Sequence, residues 1–361
     1  MRHVRWAIQI SRPLLWLNTS MPFLWALARG RRRFRPLDLA FLAFFTFPYN
    51  YYLHAVNDLF DYETDQRNPR KGGVEGALAP RDELRRHAIA STLLMVPFVL
   101  LSAVRLPWRA TASLLALLGL SMAYNAPPFR LKGRPVADSL TNVLYAIPLQ
   151  VGLHATGSTK AVDEPVRVFA AWGIAAHALT TITDIAEDAA AGVVTIGVRL
   201  GRRTTAAFAA AWFAVSALLA ARWRRSPAAA VPLLPYLGLS AAGRTAEGEA
   251  GRRLYRWFLA LNVSLGAAVT LAVILPLGVA QALYVGAFAT VVTLAGLLPS
   301  LGRAVLARRR GAAATTSGGS EGAAAPAKGG EPAAICAHAA ARSASGSSRA
   351  STVIVSEPSS I

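Results

Sequence analysis

Long apolar blocks alternate with short polar loops rich in arginine from residue 13 to residue 301. Crossing a bilayer takes about 20 mostly apolar residues in helical form, because backbone groups in lipid must be paired within the segment. The pattern predicts spans over 13–29, 37–57, 87–106, 110–124, 138–156, 166–185, 204–222, 229–243, 254–278 and 280–301. The segment 229–243 is the shortest, so the fold class is an all-α, polytopic membrane bundle of nine or ten transmembrane helices. Arg2, Arg5 and Arg12 precede a stretch interrupted by Pro13, Asn18 and Pro22, with no small-residue cleavage site, and this reads as a retained first helix. From residue 311 the chain turns to Ala, Ser, Gly and Pro with little bulky apolar area, which predicts a transmembrane domain over 1–310 and a disordered tail over 311–361.

Composition agrees with this pattern: 54% of the 361 residues are hydrophobic and only 16% charged, too apolar for an ordinary soluble globule. The net charge of +19 would suit nucleic acid, but most arginines fall in short loops between apolar blocks and read as topology signals. Nucleic-acid binding is therefore not expected. Their balance puts the N-terminus inside, despite the opposing cluster Arg29, Arg31, Arg32, Arg33 and Arg35, and predicts a multi-pass cell-membrane protein with its acidic loops on the cytoplasmic side. The single cysteine, Cys336, excludes an intrachain disulfide and a CxxC metal site.

Two acidic motifs stand at the inner ends of the second and sixth predicted spans. The first reads Asn57-Asp58-Leu59-Phe60-Asp61-Tyr62-Glu63-Thr64-Asp65. If the helix runs on through it, Asn57, Asp61 and Asp65 share one side, with Asp58 about 100° away. The second, Asp184-Ile185-Ala186-Glu187-Asp188, repeats the four-residue carboxylate spacing. Like charges so spaced oppose the helix and are costly at a membrane boundary unless a cation neutralises them. Oxygen-only ligands favour Mg2+, which readily completes its shell with substrate phosphate oxygens. For one motif alone, a solvated loop salt-bridged to Arg67, Arg70 and Lys71 would serve as well; two matched motifs favour a cation pocket.

Between the fourth and fifth spans lies Tyr124-Asn125-Ala126-Pro127-Pro128-Phe129-Arg130-Leu131-Lys132-Gly133-Arg134-Pro135. The prolines stop the helix, and the cations, Arg130 and Lys132 foremost, can neutralise a diphosphate leaving group. Asn18 can bind diphosphate or bond to a neighbouring helix. His54, His87, His154 and His177 lack metal-ligand spacing and read as packing or interfacial residues.

These residues resemble the UbiA superfamily of intramembrane prenyltransferases. Its N-D-x-x-D-x-x-x-D signature is matched by Asn57, Asp58, Asp61 and Asp65, its D-x-x-x-D by Asp184 and Asp188, and its Y-x-x-P-P-x-R-x-K loop by Tyr124, Pro127, Pro128, Arg130 and Lys132. An R-P-x-x-W-x-N opening is matched by Arg12, Pro13, Trp16 and Asn18. The resemblance implies a bundle, usually of nine spans, around a central cavity open to lipid. It also implies Mg2+ held by Asn57, Asp61, Asp65, Asp184 and Asp188, with Asp61, Asp65, Asp184 and Asp188 as the catalytic set. Diphosphate contacts are assigned to Asn18, Arg67, Tyr124, Arg130 and Lys132. The stretch Arg67-Asn68-Pro69-Arg70-Lys71-Gly72-Gly73 looks like the lycopene elongase branch.

The expected activity is Mg2+-dependent transfer of an isoprenyl group from an allylic diphosphate such as dimethylallyl diphosphate to a lipophilic acceptor, lycopene, with membrane lipid as surroundings and any protein partner unspecified. The alternatives are an aromatic or quinone-precursor acceptor and, in another class, a cation transporter. Transport would need acids near mid-span, whereas these stand at span ends beside basic loops.

Overall fold

The computed structural model describes residues 2–30, 33–66, 77–157, 163–275, 282–283 and 285–292, and every regular element among them is helical. The first half contains α1 (Arg2–Ile10), α2 (Trp16–Gly30), α3 (Pro36–Thr46), α4 (Pro48–Phe60), α5 (Tyr62–Asp65), α6 (Arg81–Arg105) and α7 (Trp108–Asn125). Then come α8 (Ala137–Leu140), α9 (Ile147–Ala155), α10 (Asp163–Thr183), α11 (Ile185–Ala190), α12 (Ile196–Arg224), α13 (Leu234–Gly243) and α14 (Gly248–Ile274).

Four of these helices are long and apolar enough to cross a bilayer: Arg81–Arg105, Glu164–Thr183, Ile196–Arg224 and Gly248–Val273. The other expected spans are shorter or interrupted. The run 37–57 divides at Phe47, after which Pro48 opens α4 at a position where a missing N–H costs nothing. The run 138–156 forms α8, a 3-10 segment over Thr141–Ala146 and then α9, and 229–243 is 3-10 over Pro227–Leu233 before α13. Hydropathy registers apolar length and not backbone form, so it reads each run as one span. Before residue 13, where the apolar pattern assigns no element, the amphipathic α1 forms. The tail from 311 and most of the span 280–301 lie outside the described residues.

Two packed clusters organise the helices. In one, Phe23, Leu24 and Leu27 of α2 meet Phe41, Phe44 and Phe45 of α3, Tyr49 and Leu53 of α4, and Leu114 and Leu117 of α7. In the other, Ala178, Leu179 and Ile182 of α10 pack with Ala209 and Phe213 of α12, Tyr236 of α13 and Phe258 of α14. Small residues permit close helix approach, the main source of packing energy where lipid is as apolar as the side chains. At Gly152 of α9 a Cβ would lie 2.6 Å from Ala26 Cβ, and at Gly197 of α12 it would lie 2.6 Å from the Thr181 carbonyl oxygen. Leu93, Leu100, Val104, Leu218 and Val263 remain exposed, as expected of lipid-facing positions.

Candidate active site

Both acidic motifs are built on the same local device. Helix α4 stops at Phe60, Asp61 adopts φ −101° and ψ 8°, and α5 follows. Helix α10 stops at Thr183, Asp184 adopts φ −110° and ψ 7°, and α11 follows. The uninterrupted ladder expected for the first motif is therefore broken at Asp61. The four-residue backbone link nevertheless survives: Asp65 N donates to the Asp61 carbonyl and Asp188 N to the Asp184 carbonyl, each at 2.8 Å.

Around the first break, side chains from distant elements converge. Asn57 Nδ2 donates to Asp61 Oδ2 at 3.0 Å and to Asn125 Oδ1, at the end of α7, at 2.9 Å. Lys132 Nζ sits 2.7 Å from Asp61 Oδ1 and 3.4 Å from Asn125 Oδ1. Arg130 approaches the same carboxylate oxygen at 3.6 Å and donates to the Phe60 carbonyl at 3.4 Å. The loop carrying both cations is bent back by the 3-10 turn Leu131–Gly133, with Arg130 at φ 39°, a left-handed conformation that costs a non-glycine residue energy. Lys132 is only 8% exposed. Burial pushes its ammonium pKa below the ordinary lysine value, while Asp61 pulls it back.

Arg12, at the entry to α2 and also in the left-handed region at φ 51°, reaches over the motif. Its guanidinium donates to Asn57 Oδ1 at 3.2 Å and to Asp58 Oδ1 at 2.8 Å, and Asp58 is 1% exposed. Arg12 is thereby a positioning residue for Asn57. Asp65 lies within electrostatic reach of both Arg12 and Lys132.

Tyr124 links the two motifs. Its hydroxyl lies 3.3 Å from His177 Nε2 on α10, and the ring lies within electrostatic reach of Asp61 and Asp188. His177 Nδ1 is 3.1 Å from Ser139 Oγ. Neighbouring Asp138 accepts from the Ile196 backbone N–H at 2.7 Å, anchoring the start of α12. On the second motif Thr195 Oγ1 donates to Asp188 Oδ2 at 3.0 Å, and Thr183 Oγ1 to Asp184 Oδ1 at 3.2 Å.

Of the expected site residues, Asn57, Asp61, Arg130 and Lys132 are joined directly, Asp65 stands within charge range of Lys132, and Tyr124 within charge range of both Asp61 and Asp188. Asn18 is exposed on α2, with no hydrogen bond to the group among the described residues. Arg67 lies outside the described residues.

With this geometry in place, comparison with known proteins decides the family. The model of the UbiA prenyltransferase family matches residues 19–265. The chain belongs to the UbiA prenyltransferase family. Its fold is similar to that of a UbiA homolog from Archaeoglobus fulgidus bound to GPP and Mg2+, with TM-score 0.56 and 19% identity over 73% of this chain and 98% of that one. A lycopene elongase/hydratase of Corynebacterium glutamicum is 30% identical over 282 residues, 76% of this chain and 98% of that protein. A Dietzia protein of C50 beta-cyclic carotenoid biosynthesis is 35% identical over 268 residues, 72% of this chain, and the match spans 62% of that longer relative. As a UbiA prenyltransferase, the chain carries the first acidic motif, the basic loop and the second motif all inside the matched stretch, whereas Arg12 and Asn18 precede it.

Arg12, Asn125, Asp138 and His177 are structural members of the site that the acidic and basic motifs did not single out, and Asp58, though part of the first signature, carries no assigned role there. Arg12 had a legible signal, since it opens the R-P-x-x-W-x-N stretch. Asn125 follows Tyr124 in the quoted loop, but nothing in its spacing pairs it with Asn57.

Proposed function

We propose that this UbiA prenyltransferase transfers an isoprenyl group, dimethylallyl in the simplest case, from its diphosphate to lycopene, extending a C40 carotenoid toward C50. The lycopene elongase/hydratase relatives support the acceptor, and the buried Lys132–Asp61 pair supports the donor, because it brings an ammonium and a carboxylate to one point beside a further cation. The oxygen-only set of Asn57, Asp61, Asp65, Asp184 and Asp188 fits Mg2+, and the ammonium of Lys132 seated on Asp61 supports a cation-accepting role for that carboxylate. Those residues would hold the ion, which when bound supplies charge neutralisation on the diphosphate oxygens.

Lys132 and Arg130 exchange Asp61 for diphosphate oxygens as substrate enters, so that positive charge is in place where negative charge develops. Tyr124, Arg67 and Asn18 complete the proposed diphosphate contacts. The allylic C–O bond breaks with its electron pair leaving on the diphosphate. The π electrons of a terminal lycopene double bond then form the new C–C bond to the allylic cation. The product cation either loses a proton directly, forming a new double bond, or adds water at the cationic carbon and then loses a proton from it to give an alcohol. The apolar helices keep water from the first cation, and aromatic faces such as Phe60, Tyr62 and Tyr124 can stabilise it.

The test is expression in a bacterial host that accumulates lycopene, with carotenoid masses read beside an Asp61→Ala control. C45 or C50 products absent from the control are expected; lycopene left unchanged by folded protein would shift the acceptor to an aromatic or quinone precursor.

A further inference from the structure

Away from the acidic motifs, His3 on α1 and Glu83 and His87 on the first turns of α6 form a separate cluster whose ligand atoms all lie within 4.8 Å of one another. His3 Nδ1 is 3.6 Å from Glu83 Oε2. His87 is 6% exposed, and its Nε2 and the Glu83 Oε2 are buried without a hydrogen-bond partner among the described residues. Such groups carry a desolvation cost that a protein rarely leaves uncompensated.

The other side of each of these two groups is already held. The Tyr51 hydroxyl bonds His87 Nδ1, which leaves Nε2 as the nitrogen free to ligate. Arg86 donates to Glu83 Oε1 at 2.9 Å, which leaves Oε2. Outer partners of this kind fix the tautomer and orientation of metal ligands. A cleft bordered by His3, Ala7, Tyr51, Glu83 and His87 gives access.

We propose that His3, Glu83 and His87 bind one divalent transition-metal ion of the zinc class, fastening α1 to α6. Two imidazole nitrogens and one carboxylate oxygen suit Zn2+ and not Mg2+, so the site is chemically distinct from the all-oxygen motifs. Zinc bonds of about 2.0–2.2 Å require the three ligands to draw inward. His3 has the room to do so, with its side chain 64% exposed near the end of α1. With three protein ligands, a fourth position remains for water.

The test uses the full-length protein in detergent, stripped with EDTA and supplied with excess Mg2+ to occupy the oxygen sites, then titrated with Co2+ and Zn2+. One equivalent of Co2+ should give visible ligand-field absorption that Zn2+ displaces. Tyr51→Phe should weaken Zn2+ binding about 10–100-fold, the usual cost of an outer partner, and His3→Ala should weaken it further. Asp61→Ala should leave it unchanged. His3 is exposed, so its variant tests the site without disturbing the buried His87. Zn2+ affinity equal to wild type in both His3→Ala and Glu83→Gln, or no Co2+ absorption in the wild type, overturns the proposal.

Discussion

The Nζ of Lys132 and the Oδ1 of Asp61 lie 2.7 Å apart, although Lys132 stands in the loop after α7 and Asp61 at the end of α4, and the pair is largely shielded from solvent. The two groups proposed for opposite ends of a Mg2+–diphosphate complex are thus partners of each other. Under the proposed function substrate entry separates them, which makes the pair the place to test it.

Asp61→Asn keeps the shape and removes the charge. Loss of about 2.7–4 kcal/mol of transition-state stabilisation, roughly 10²–10³-fold in kcat, is expected from the size of single preorganised electrostatic contacts. Diphosphate release measured at saturating Mg2+ checks this; a variant within twofold of wild type would remove Asp61 from the mechanism.

Burial lowers the Lys132 pKa, so its ammonium is lost on raising pH before an ordinary lysine would lose its own. If Lys132 binds diphosphate, kcat/KM should fall along an alkaline limb below the ordinary lysine value of 10.5. Lys132→Arg should move that limb upward, since arginine keeps its proton. The same lowered pKa means the unfolded chain binds more protons in the window between the two values. Stability from this group therefore rises as pH increases through that window. Rate profiles and thermal unfolding against pH report the two effects separately.

Arg12 pairs with the buried Asp58 at 2.8 Å, and removing either member takes a charge partner from the other. Arg12→Ala should cost about 3–5 kcal/mol, whereas a matched apolar replacement of both residues should recover most of it. Unfolding midpoints in detergent for the two single variants and the double variant measure the coupling. Strict additivity would mean that the pair contributes no energy of its own.

At Gly197 an added methyl group would meet the Thr181 carbonyl at 2.6 Å, and both residues flank the second acidic motif. Gly197→Ala should destabilise the protein by about 1–3 kcal/mol, the usual cost of overpacking. It should also weaken Mg2+ dependence by displacing Asp184 and Asp188, which a shift in the Mg2+ activation midpoint would record.

Much of the site was readable in the chain because its chemistry is local. Asp61 with Asp65, Asp184 with Asp188, and Arg130 with Lys132 each sit within one helical turn or one short loop, where spacing alone brings charges together. Asn57 with Asn125 and Tyr124 with His177 are joined only by tertiary packing, and no periodicity marks which remote segments meet. The helix break at Asp61 was likewise hidden, since four-residue spacing looks the same whether the helix continues or turns. Thr141–Ala146 escaped for another reason: an apolar run has the same hydropathy as an α-helix or as a 3-10 segment.

The matched breaks at Asp61 and Asp184 bear on the proposed cation pocket through the backbone as well as the side chains. Each motif stands at the carboxyl end of a helix, where aligned peptide dipoles place about half an elementary negative charge. Two such ends give the backbone itself a share of the attraction for a divalent ion. That share survives substitution of the ligand carboxylates, so a variant with Asp61, Asp65, Asp184 and Asp188 changed to asparagine should retain weak, salt-sensitive Mg2+ affinity even after its catalysis is gone.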